Sequence, residues 1–244
     1  MDAMILAAGV GSRLKPLTDR TPKALIEVGG RPMLEWVALR LIKANADRLV
    51  INLHHQADQI RSFVEEKREF GVDVRFSIEE SQPLGTGGGL AAAAHHLRPI
   101  APFYIHNSDI ITEIDLVHLY EAHEGDREAL VTLAVGGRTS ARYLIFDDLG
   151  LCGWGNDRTG KRQLAREPVG QARDLPFSGV HVANPGLLDR ITEKGVFSII
   201  TTYMRLAGEG FRIAPYDVGD ALWLEVGNHE RLAKARAWAD ACDP

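Results

Sequence analysis

Short apolar runs alternate with segments of helical periodicity through the first half of the chain. Residues 4–8 form a continuous apolar run that ends at Gly9, which predicts a buried strand of a parallel sheet. Residues 31–46 carry apolar side chains at helical spacing after Pro32, which predicts a helix with the proline in its first turn. The same patterns predict strands at 49–53, 72–78 and 103–106 and helices at 57–67, 89–97 and 114–122. This alternation predicts right-handed βαβ crossovers and a parallel sheet covered on both faces.

The second half is less regular. Strands are predicted at 129–135, 142–146, 177–183, 211–216 and 222–226, with a turn at 147–150. Asn184 and Pro185 form a cap and first-turn pair that begins a helix, and further helices are predicted at 198–206 and 229–241. Because no repeat, low-complexity segment or linker interrupts the sequence, we expect one α/β domain over residues 1–244, with halves of about 1–125 and 126–244.

Composition narrows the class of protein. The chain has 244 residues, of which 45% are hydrophobic, enough to bury one sizeable core. Charged residues make up 25%, and the formal net charge is −5 with an isoelectric point near 6.0. Because there is no basic excess or stripe, a general nucleic-acid binder is excluded, and any bound anion is held by a few local groups.

Targeting and redox signals favour a cytoplasmic enzyme. The N-terminus has no cationic segment before its apolar run, and no apolar stretch approaches the about 20 residues of a membrane span. The two cysteines, Cys152 and Cys242, lie far apart without metal-ligand spacing. We interpret both as free thiols of a cytosolic protein.

The first strand is followed by a glycine loop, residues 6–13. Its glycines let backbone N–H groups close on an oxyanion. A dinucleotide-binding fingerprint is the alternative, and three features count against it. Leu14 occupies the position of the third glycine, Pro16 and Pro22 bracket a stretch without helical periodicity, and the second strand ends in Asn52-Leu53-His54, without an acid.

Cationic side chains follow the glycines. Arg13, Lys15, Arg20 and Lys23 lie in a segment that the two prolines stiffen. An extended, cationic, non-helical segment suits a triphosphate better than a diphosphate held at a helix N-terminus. Arg20 and, for the most part, Lys15 are interpreted as solvated, whereas Arg13 and Lys23 are assigned to the site.

The residues of this segment form a long motif. It reads Leu6-Ala7-Ala8-Gly9-x-Gly11-x-Arg13-Leu14-x-Pro16-Leu17-Thr18, followed by Pro22-Lys23. The motif resembles the N-terminal motif of the sugar-1-phosphate nucleotidyltransferases. The resemblance implies a Rossmann-like nucleotidyltransferase fold, in which helices flank a mostly parallel central sheet and a smaller, irregular half binds the sugar.

The resemblance also implies the activity. Within this family, the chain most resembles the N-acetylmuramate-1-phosphate uridylyltransferases. The features that carry this resemblance are the short chain, the run Thr86-Gly87-Gly88-Gly89 and the end after a single helix. The chain resembles the short mannose-1-phosphate guanylyltransferases nearly as well. The resemblance implies Mg²⁺-dependent nucleotidyl transfer from a nucleoside triphosphate, UTP before GTP, to a sugar 1-phosphate. It makes Arg13 and Lys23 catalytic, the first at the triphosphate and the second near the α-phosphate. The resemblance also implies that the glycine loop contacts the base and ribose, through Leu6, Ala7, Ala8, Gly9 and Gly11.

A second glycine-rich segment, residues 83–89, lies between a predicted strand and a predicted helix. Taken alone, this segment fits a plain glycine-rich turn capped by Thr86 as well as it fits a binding loop. The matching loop of the family contacts the base, so Gly85 and Thr86 are assigned to the nucleotide, with Glu80 as a weaker candidate.

Two acidic residues are candidate metal ligands. Asp109 follows the strand at 103–106, at the edge where parallel sheets bind ligands, and a carboxylate oxygen suits Mg²⁺. The family's second carboxylate lies in a Trp-x-Asp-x-Gly pattern, and Glu225 takes the aspartate position here. Mg²⁺ requires nearly ideal ligand geometry. Because the side chain of Glu225 is one methylene longer than that of aspartate, either the backbone is displaced or metal binding is weaker. Asn228 is predicted to cap the closing helix.

The sugar is assigned chiefly to the second half. Gly179 and Asn107 are the candidate sugar contacts, and a glycine lets a hexose ring lie against the backbone. The family's Glu-Lys-Pro, whose lysine meets the sugar phosphate, is not kept. Arg166 or Lys161 is the candidate replacement.

Two patterns are interpreted as misleading. Residues 155–161 have the spacing of a P-loop, but Arg162 follows instead of serine or threonine, so a hairpin tip is predicted. The pairs His54-His55 and His95-His96 are adjacent in sequence and point in different directions, so neither pair is predicted to chelate zinc. One histidine of the first pair is a candidate for the substrate cleft.

The expected chemistry is in-line attack of the sugar phosphate oxygen on the α-phosphorus, with pyrophosphate leaving. Because the nucleophile is already an anion, positioning and charge neutralisation by Mg²⁺, Arg13 and Lys23 suffice without a general base. The alternatives are a nucleotide-binding sensor that has lost catalysis through Glu225, and a phosphocholine cytidylyltransferase. A monomer or homodimer is expected, with no nucleic-acid or membrane partner.

Overall fold

The computed structural model describes residues 1–242, apart from the side chain of Cys242. The predicted free thiol at Cys242 therefore lies outside the described residues. Cys152 is a free, buried cysteine whose Sγ donates to the carbonyl of Ile145 at 3.3 Å. Within residues 1–242, no helix is long and apolar enough to cross a membrane.

The described chain is a succession of strands, α-helices and short 3₁₀ turns. The strands are β1 (Asp2–Leu6), β2 (Glu27–Val28), β3 (Arg31–Pro32), β4 (Arg48–Leu53), β5 (Asp73–Ile78), β6 (Phe103–Asn107), β7 (Ile110–Thr112), β8 (Ala129–Val135), β9 (Arg142–Asp147), β10 (Gly150–Asn156), β11 (Lys161–Leu164), β12 (Arg173–Leu175), β13 (Phe177–Ala183), β14 (Arg212–Asp217) and β15 (Trp223–Glu225). The α-helices are α1 (Met33–Lys43), α2 (Ala57–Glu66), α3 (Gly85–Ala93), α4 (Leu116–Gly125), α5 (Ile199–Gly208) and α6 (His229–Cys242).

A seven-stranded sheet in the order β14-β8-β13-β6-β1-β4-β5 forms the centre of the molecule. Strands β6, β1, β4 and β5 pair in parallel, as do β14 and β8. Strand β13 runs antiparallel between β8 and β6. The predicted α/β fold with a mostly parallel central sheet is confirmed.

Alternate side chains of β1 serve two cores, one on each face of the sheet. Ala3 and Ile5 belong to a cluster that α1, α2 and α4 close, whereas Met4 belongs to a cluster that α3 and α5 close. All three side chains are fully buried. Burial on both faces explains why the strand has a continuous apolar run instead of an alternating pattern.

Helix α3 begins at Gly85, earlier than the predicted start at residue 89. Its first turn is rich in glycine because its neighbours leave no room for side chains. A Cβ at Gly87 would lie 2.3 Å from the ring of Phe197, and one at Gly89 would lie 2.4 Å from Nδ2 of Asn52. The turn predicted over 83–89 is therefore mostly the start of a helix, stabilised by packing that the sequence pattern does not reveal.

Three other helix starts test the capping signals. Helix α1 begins at Met33, and Pro32 lies just before it instead of inside its first turn. The helix predicted after Asn184 is a 3₁₀ helix, although Asn184 does cap it by accepting the N–H of Gly186 at 3.0 Å. The cap of the closing helix is confirmed, since Oδ1 of Asn228 accepts the N–H of Arg231 at 2.9 Å.

A second sheet, in the order β11-β10-β9-β12, follows β8 in the chain. The sequence pattern predicts only β9 of its strands. Strand β11 is exposed along its length and β10 contains three glycines, so neither has the apolar alternation that marks a strand. Strands β10 and β11 pair antiparallel, which confirms the predicted hairpin tip within residues 155–161.

Candidate active site

The glycine loop closes tightly on itself after β1. Gly11 has a φ of 69°, and a Cβ there would lie 2.8 Å from Cγ2 of Thr18 and 3.1 Å from Cβ of Lys23. Only glycine fits this position. The two prolines predict an extended segment after this loop, but the segment is folded into turns. Pro16 and Pro22 each precede a 3₁₀ turn. These turns fold the segment back so that Lys23 packs against the loop.

Asn52 connects the glycine loop to the loop that follows β5. Its Oδ1 accepts the backbone N–H of Ala7 at 2.7 Å, and its Nδ2 donates to Oε1 of Glu79 at 2.5 Å. Oε2 of Glu79 accepts the N–H of Leu84 at 2.6 Å. Asn52 and Glu79 are both buried. Sequence analysis assigns no role to either, although a polar residue at the end of an apolar strand is the available signal.

A pocket of about 200 Å³ lies between these two loops. Its lining includes most of the residues that the sequence assigns to the nucleotide, the sugar candidate Asn107 and both members of an ion pair described below, Lys23 and Asp109. The assigned nucleotide contacts in this lining are Leu6, Ala8, Gly9, Gly85 and Thr86. Oγ1 of Thr86 accepts the N–H of Ile199 at 2.9 Å, so its hydroxyl hydrogen remains available as a donor. The structure therefore brings the two glycine-rich segments together around one space.

Three residues assigned to the nucleotide do not line this pocket. The N–H of Ala7 is bonded to Asn52 and its side chain is buried, so Ala7 supports the loop from behind. Gly11 acts through its backbone conformation. Glu80 is exposed, and its buried neighbour Glu79 is the acid that this loop uses.

Lys23 and Asp109 form an ion pair through Nζ and Oδ2 where the pocket opens. Their side chains are 12% and 22% exposed, so the pair is partly withdrawn from solvent. Asp109 lies in the turn that joins β6 to β7, at the carboxyl end of a parallel strand. Lys23, which the sequence assigns to catalysis, is therefore in direct contact with Asp109, the first candidate metal ligand.

A two-stranded ladder brings Glu225 to Asp109 from the far end of the chain. Strand β15 pairs antiparallel with β7, and the N–H of Val226 donates to the carbonyl of Asp109 at 2.8 Å. Oε2 of Glu225 forms an ion pair with Nη1 of Arg231 in α6. Arg13, Asp109 and Glu225 all line one cleft. Sequence analysis misses Arg231, which has no motif around it.

The two carboxylates fit a Mg²⁺ ion. Each has one oxygen in an ion pair, and within residues 1–242 the other oxygen, Oδ1 of Asp109 and Oε1 of Glu225, has no protein hydrogen bond. Carboxylate oxygens are the hard ligands that Mg²⁺ prefers, and it usually completes its shell with phosphate and water. Gly227 makes room for the longer glutamate, because a Cβ there would lie 2.7 Å from Oε1 of Glu225.

A larger cleft of about 1260 Å³ adjoins the small pocket, and Asn107 and Asp109 border both spaces. Gly179 lies in its wall with a φ of 74°, where a Cβ would lie 2.4 Å from Cδ1 of Ile110. This glycine is therefore required by the packing of the wall itself. Guanidinium groups dominate the charged lining of the cleft: Arg13, Arg138, Arg142, Arg158, Arg205 and Arg231.

The charge of the cleft is strongly one-sided. Among the described residues, Asp109 and Glu225 are the acids that line it, and each already faces a cation. The cleft therefore favours an anionic substrate. Most of these arginines are not predictable from the sequence, because no motif surrounds them. Arg138, Arg142 and Arg158 lie in the loop after β8 or on the small sheet and its hairpin, and Arg205 and Arg231 lie in α5 and α6.

Arg166 lies outside the cleft, contrary to its assignment to the sugar. Its two Nη atoms donate to the two carboxylate oxygens of Asp147, both at 2.6 Å. This paired hydrogen bonding lowers the pKa of Asp147 to about 2. A guanidinium held in this way by a buried acid is not available to a sugar phosphate. Lys161, the alternative, is an exposed residue of β11 that does not line the cleft.

The adjacent histidine pairs make contacts outside the two spaces. Nδ1 of His54 lies 2.6 Å from the carbonyl oxygen of Glu79, so His54 supports the loop after β5 instead of facing substrate. The rings of His95 and His96 stack with centroids 3.9 Å apart, beyond the end of α3.

Two other histidines are fully buried on neighbouring strands. His106 lies in β6 and His181 in β13, and burial lowers their pKa values to about 4 and about 3. Nε2 of His106 and both ring nitrogens of His181 have no hydrogen-bond partner in the described part of the chain. Both rings are therefore neutral at pH 7 and contribute to the core behind the cleft.

Fold and site together place the chain among the α/β enzymes that bind nucleotides at the carboxyl edge of a parallel sheet. The model of one family, described as nucleotidyl transferase, matches residues 2–240. The chain belongs to this nucleotidyl transferase family and is an enzyme.

Individual relatives cover nearly all of the chain. It is 32% identical over 241 residues to the N-acetylmuramate alpha-1-phosphate uridylyltransferase of Neisseria meningitidis serogroup B, and the alignment covers 99% of both chains. It is 29% identical to the mannose-1-phosphate guanyltransferase of Schizosaccharomyces pombe, with 93% of this chain but 61% of that protein covered. A solved structure, a putative glucose-1-phosphate thymidylyltransferase from Bacillus anthracis in complex with sucrose, has a TM-score of 0.81 at 19% identity, covers 98% of this chain and 95% of its own, and shows the shared fold.

Proposed function

We propose that this enzyme transfers a uridylyl group from UTP to N-acetylmuramate α-1-phosphate, giving the UDP-sugar and pyrophosphate. The observation that carries the proposal is the similarity to the Neisseria meningitidis uridylyltransferase over 99% of both chains. The Schizosaccharomyces pombe guanyltransferase is nearly as similar where it aligns, but 39% of its length has no counterpart here, since 61% is covered. Transfer to a sugar 1-phosphate is common to both relatives, and the choice of uridylyl and of N-acetylmuramate rests on the first.

The charge of the cleft supports an acidic sugar. N-acetylmuramate 1-phosphate carries a phosphate and, on its lactyl ether, a carboxylate. Arg13 and Arg138 lie on the side of β15, while Arg142 and Arg158 belong to the small sheet and its hairpin. None of these four has a carboxylate within salt-bridge distance among residues 1–242. A hexose 1-phosphate with no second acid would leave two of these cations without a counter-charge.

The small pocket supports the nucleotide assignment. The loop at Gly85 and Thr86 borders the space in which the base would lie, and the glycine loop borders the space for the ribose and phosphates. Uracil presents two carbonyl oxygens, which suit backbone N–H groups and the available hydroxyl of Thr86. The link through Asn52 fixes these two loops relative to each other before the nucleotide arrives.

In the proposed reaction, a phosphate oxygen of the sugar attacks the α-phosphorus of UTP, and the bond between the α-phosphorus and the bridging oxygen breaks to release pyrophosphate. Arg13 neutralises the triphosphate, and Lys23 neutralises charge at the α-phosphate while Asp109 fixes its position. Asp109 and Glu225 would hold Mg²⁺, which supplies further charge neutralisation on the phosphates when bound. The attacking phosphate is already ionised, so no residue needs to remove a proton.

Pyrophosphate release from a matrix of substrates tests the proposal. UTP, GTP and CTP are each combined with N-acetylmuramate 1-phosphate, N-acetylglucosamine 1-phosphate, mannose 1-phosphate and phosphocholine. The first two sugars differ only by the lactyl ether, so their kcat/KM ratio isolates its carboxylate. We expect UTP with N-acetylmuramate 1-phosphate to be preferred about tenfold to a hundredfold over the glucosamine compound, the range of a charge-assisted hydrogen bond.

A matched variant links the preference to the cleft. Arg158→Ala should lower kcat/KM for the muramate compound and leave that for the glucosamine compound unchanged. Preference for GTP with mannose 1-phosphate, or for CTP with phosphocholine, would replace the proposed substrates. Nucleotide binding without turnover by any pair would identify a sensor.

A further inference from the structure

The loop after β8 delivers one arginine into the cleft through a tight glycine pair. Gly136 and Gly137 have φ values of 93° and 71°, and a Cβ at Gly137 would lie 2.6 Å from the carbonyl oxygen of Gly219. The backbone therefore passes close to the β14 side of the sheet and then turns. Arg138 follows at once, and its side chain lines the cleft.

The guanidinium of Arg138 is held in place by two neutral contacts. Its central carbon lies 3.9 Å from the centroid of the Trp223 ring. Its Nη2 donates to the carbonyl oxygen of Phe177 at 2.7 Å. Stacking on an aromatic face and one carbonyl bond fix the orientation of the group without neutralising its charge.

The same guanidinium has no anion to balance it. Its Nε is buried and has no hydrogen-bond partner, and no carboxylate lies within salt-bridge distance of it in the described part of the chain. Burial, followed by the nearby charge of Arg231, lowers the pKa of Arg138. A partly desolvated cation that is fixed in position and has no counter-charge is a site prepared for an anion.

The location selects which anion binds. Trp223 stands two residues before Glu225 in β15, so the stacked guanidinium lies against the strand that carries Glu225. Of the other arginines that line the cleft, Arg205 pairs with Glu193 and Arg231 with Glu225. Arg142 and Arg158 belong to the small sheet and its hairpin, away from β15. Arg13 belongs to the segment after the glycine loop, which is assigned to the triphosphate, and its guanidinium extends towards Gly227. Arg138 is therefore the cation best placed for the second phosphate, the one that belongs to the sugar.

We propose that Arg138 binds the phosphate of the sugar 1-phosphate and aims it at the α-phosphorus, taking over the task of the lysine that the sequence does not keep. This assignment rests on the proposed function. Arg138 contacts the oxygens that do not attack, so its removal should weaken capture of the sugar phosphate far more than binding of the nucleotide. Trp223 is the support that fixes the direction of the guanidinium.

Steady-state kinetics of Arg138→Gln and Arg138→Lys test the proposal, with exposed Arg127→Gln as the matched control. For Arg138→Gln, KM for the sugar 1-phosphate should rise at least about tenfold, the loss of one charge-assisted bond, while KM for UTP stays within about twofold. The lysine variant should lie between wild type and Arg138→Gln. Arg127→Gln should match wild type, and equal unfolding midpoints for all four proteins would show that each is folded.

Binding measurements separate the phosphate from the rest of the sugar. Calorimetric titration with the sugar 1-phosphate, in the presence of Mg²⁺ and a non-reactive UTP analogue, should show the same loss of affinity in Arg138→Gln. The free sugar, which has no phosphate, should inhibit wild type and variant equally. An unchanged KM for the sugar 1-phosphate, or an equal rise in KM for UTP, would overturn the assignment.

The same experiment keeps this proposal apart from the choice of substrate. If wild type prefers a sugar 1-phosphate other than N-acetylmuramate 1-phosphate, the kinetic ratio is measured with the preferred compound. In that case the substrate proposal fails, but the role of Arg138 is still tested by the ratio of KM for that sugar 1-phosphate in Arg138→Gln to KM in wild type. If wild type accepts no sugar 1-phosphate, both proposals are overturned.

Discussion

Oδ1 of Asn52 accepts the backbone N–H of Ala7 at 2.7 Å, and this bond fixes the glycine loop to the end of the neighbouring strand. The same side chain reaches Glu79, which in turn holds the N–H of Leu84. The two loops that border the small pocket are thus positioned by one buried amide and one buried carboxylate. The pocket is organised by polar groups whose hydrogen bonds go to the protein itself.

Replacement of Glu79 should therefore damage the pocket from behind. In Glu79→Gln, one acceptor becomes a donor that faces either Asn52 or the N–H of Leu84. The free energy of unfolding should fall by about 1–3 kcal/mol and KM for UTP should rise, because a buried donor loses its partner. The neighbouring Glu80→Gln is the control. It is exposed, so urea unfolding should show a change within about 0.5 kcal/mol. A selective rise in KM for UTP in Glu80→Gln would instead assign the base contact to Glu80.

Lys23→Ala should lower kcat by a factor on the order of 10²–10³, because it removes a preorganised cation where charge develops on the α-phosphate. Lys15→Ala is a matched control in the same segment. Lys15 is exposed and pairs with Asp19 in the same segment, so pyrophosphate release should stay near the wild-type rate. Near-normal turnover in Lys23→Ala would contradict its catalytic role.

Glu225→Gln should raise the Mg²⁺ concentration needed for half-maximal velocity by about tenfold or more, since the metal loses a charged ligand. The side chain keeps its shape, so the ladder between β7 and β15 should persist. Glu230→Gln, an exposed position in α6 that pairs with Lys234, should leave the Mg²⁺ titration unchanged. Equal curves for all three proteins would show that Glu225 is not a ligand. Chelation by EDTA should stop turnover of wild type.

The buried histidines should make stability depend on pH. His106 and His181 have folded pKa values of about 4 and about 3, below the unfolded value of about 6.5. The unfolded chain therefore binds protons first, and the free energy of unfolding falls as pH drops from about 7 towards 4, by up to about 1.4 kcal/mol per pH unit for each histidine. His181→Phe should make this slope shallower in urea titrations. The exposed His118→Gln should leave it unchanged, and an unaltered slope in His181→Phe would refute the assignment.

Gly87→Ala should destabilise the protein by about 1–3 kcal/mol, because the new methyl group collides with the ring of Phe197. Gly125→Ala is the control, because it shows how replacing a helical glycine by alanine changes stability where no side chain is in the way. Gly125 ends α4 and has no atom near its missing Cβ, so this variant should be neutral or slightly stabilised in thermal unfolding. Equal stability of the two variants would show that α3 relaxes away from Phe197.

The central sheet could be predicted because its strands carry their own signal. Strand β1 and its neighbour β4 are buried on both faces, so each has an uninterrupted apolar run between polar ends. The site could be predicted where one continuous motif supplies it, as with Arg13 and Lys23. Asp109 could be placed because it follows directly after such a strand.

The remaining parts depend on contacts between distant segments. Strand β11 is polar and exposed, and it is a strand only because β10 pairs with it. Helix α3 begins among glycines because Phe197 fills the space above them. Arg166 carries the right charge for a sugar phosphate, but its buried partner Asp147 lies in β9, 19 residues earlier in the chain. No periodicity or spacing reports these relationships.

The pairing of β15 with β7 also sets the order in which the site can be assembled. Asp109, Lys23 and both glycine-rich segments belong to the first half of the chain, whereas Glu225 and Arg231 come from its end. The pocket between these segments also needs the second half, because Thr86 and Gly87 of α3 are bonded to Ile199 and Phe197. A chain that ended before β15 would lack Glu225 and Arg231 together, so the cleft gains its second carboxylate and the cation that pairs with it only when the end of the chain folds onto β7.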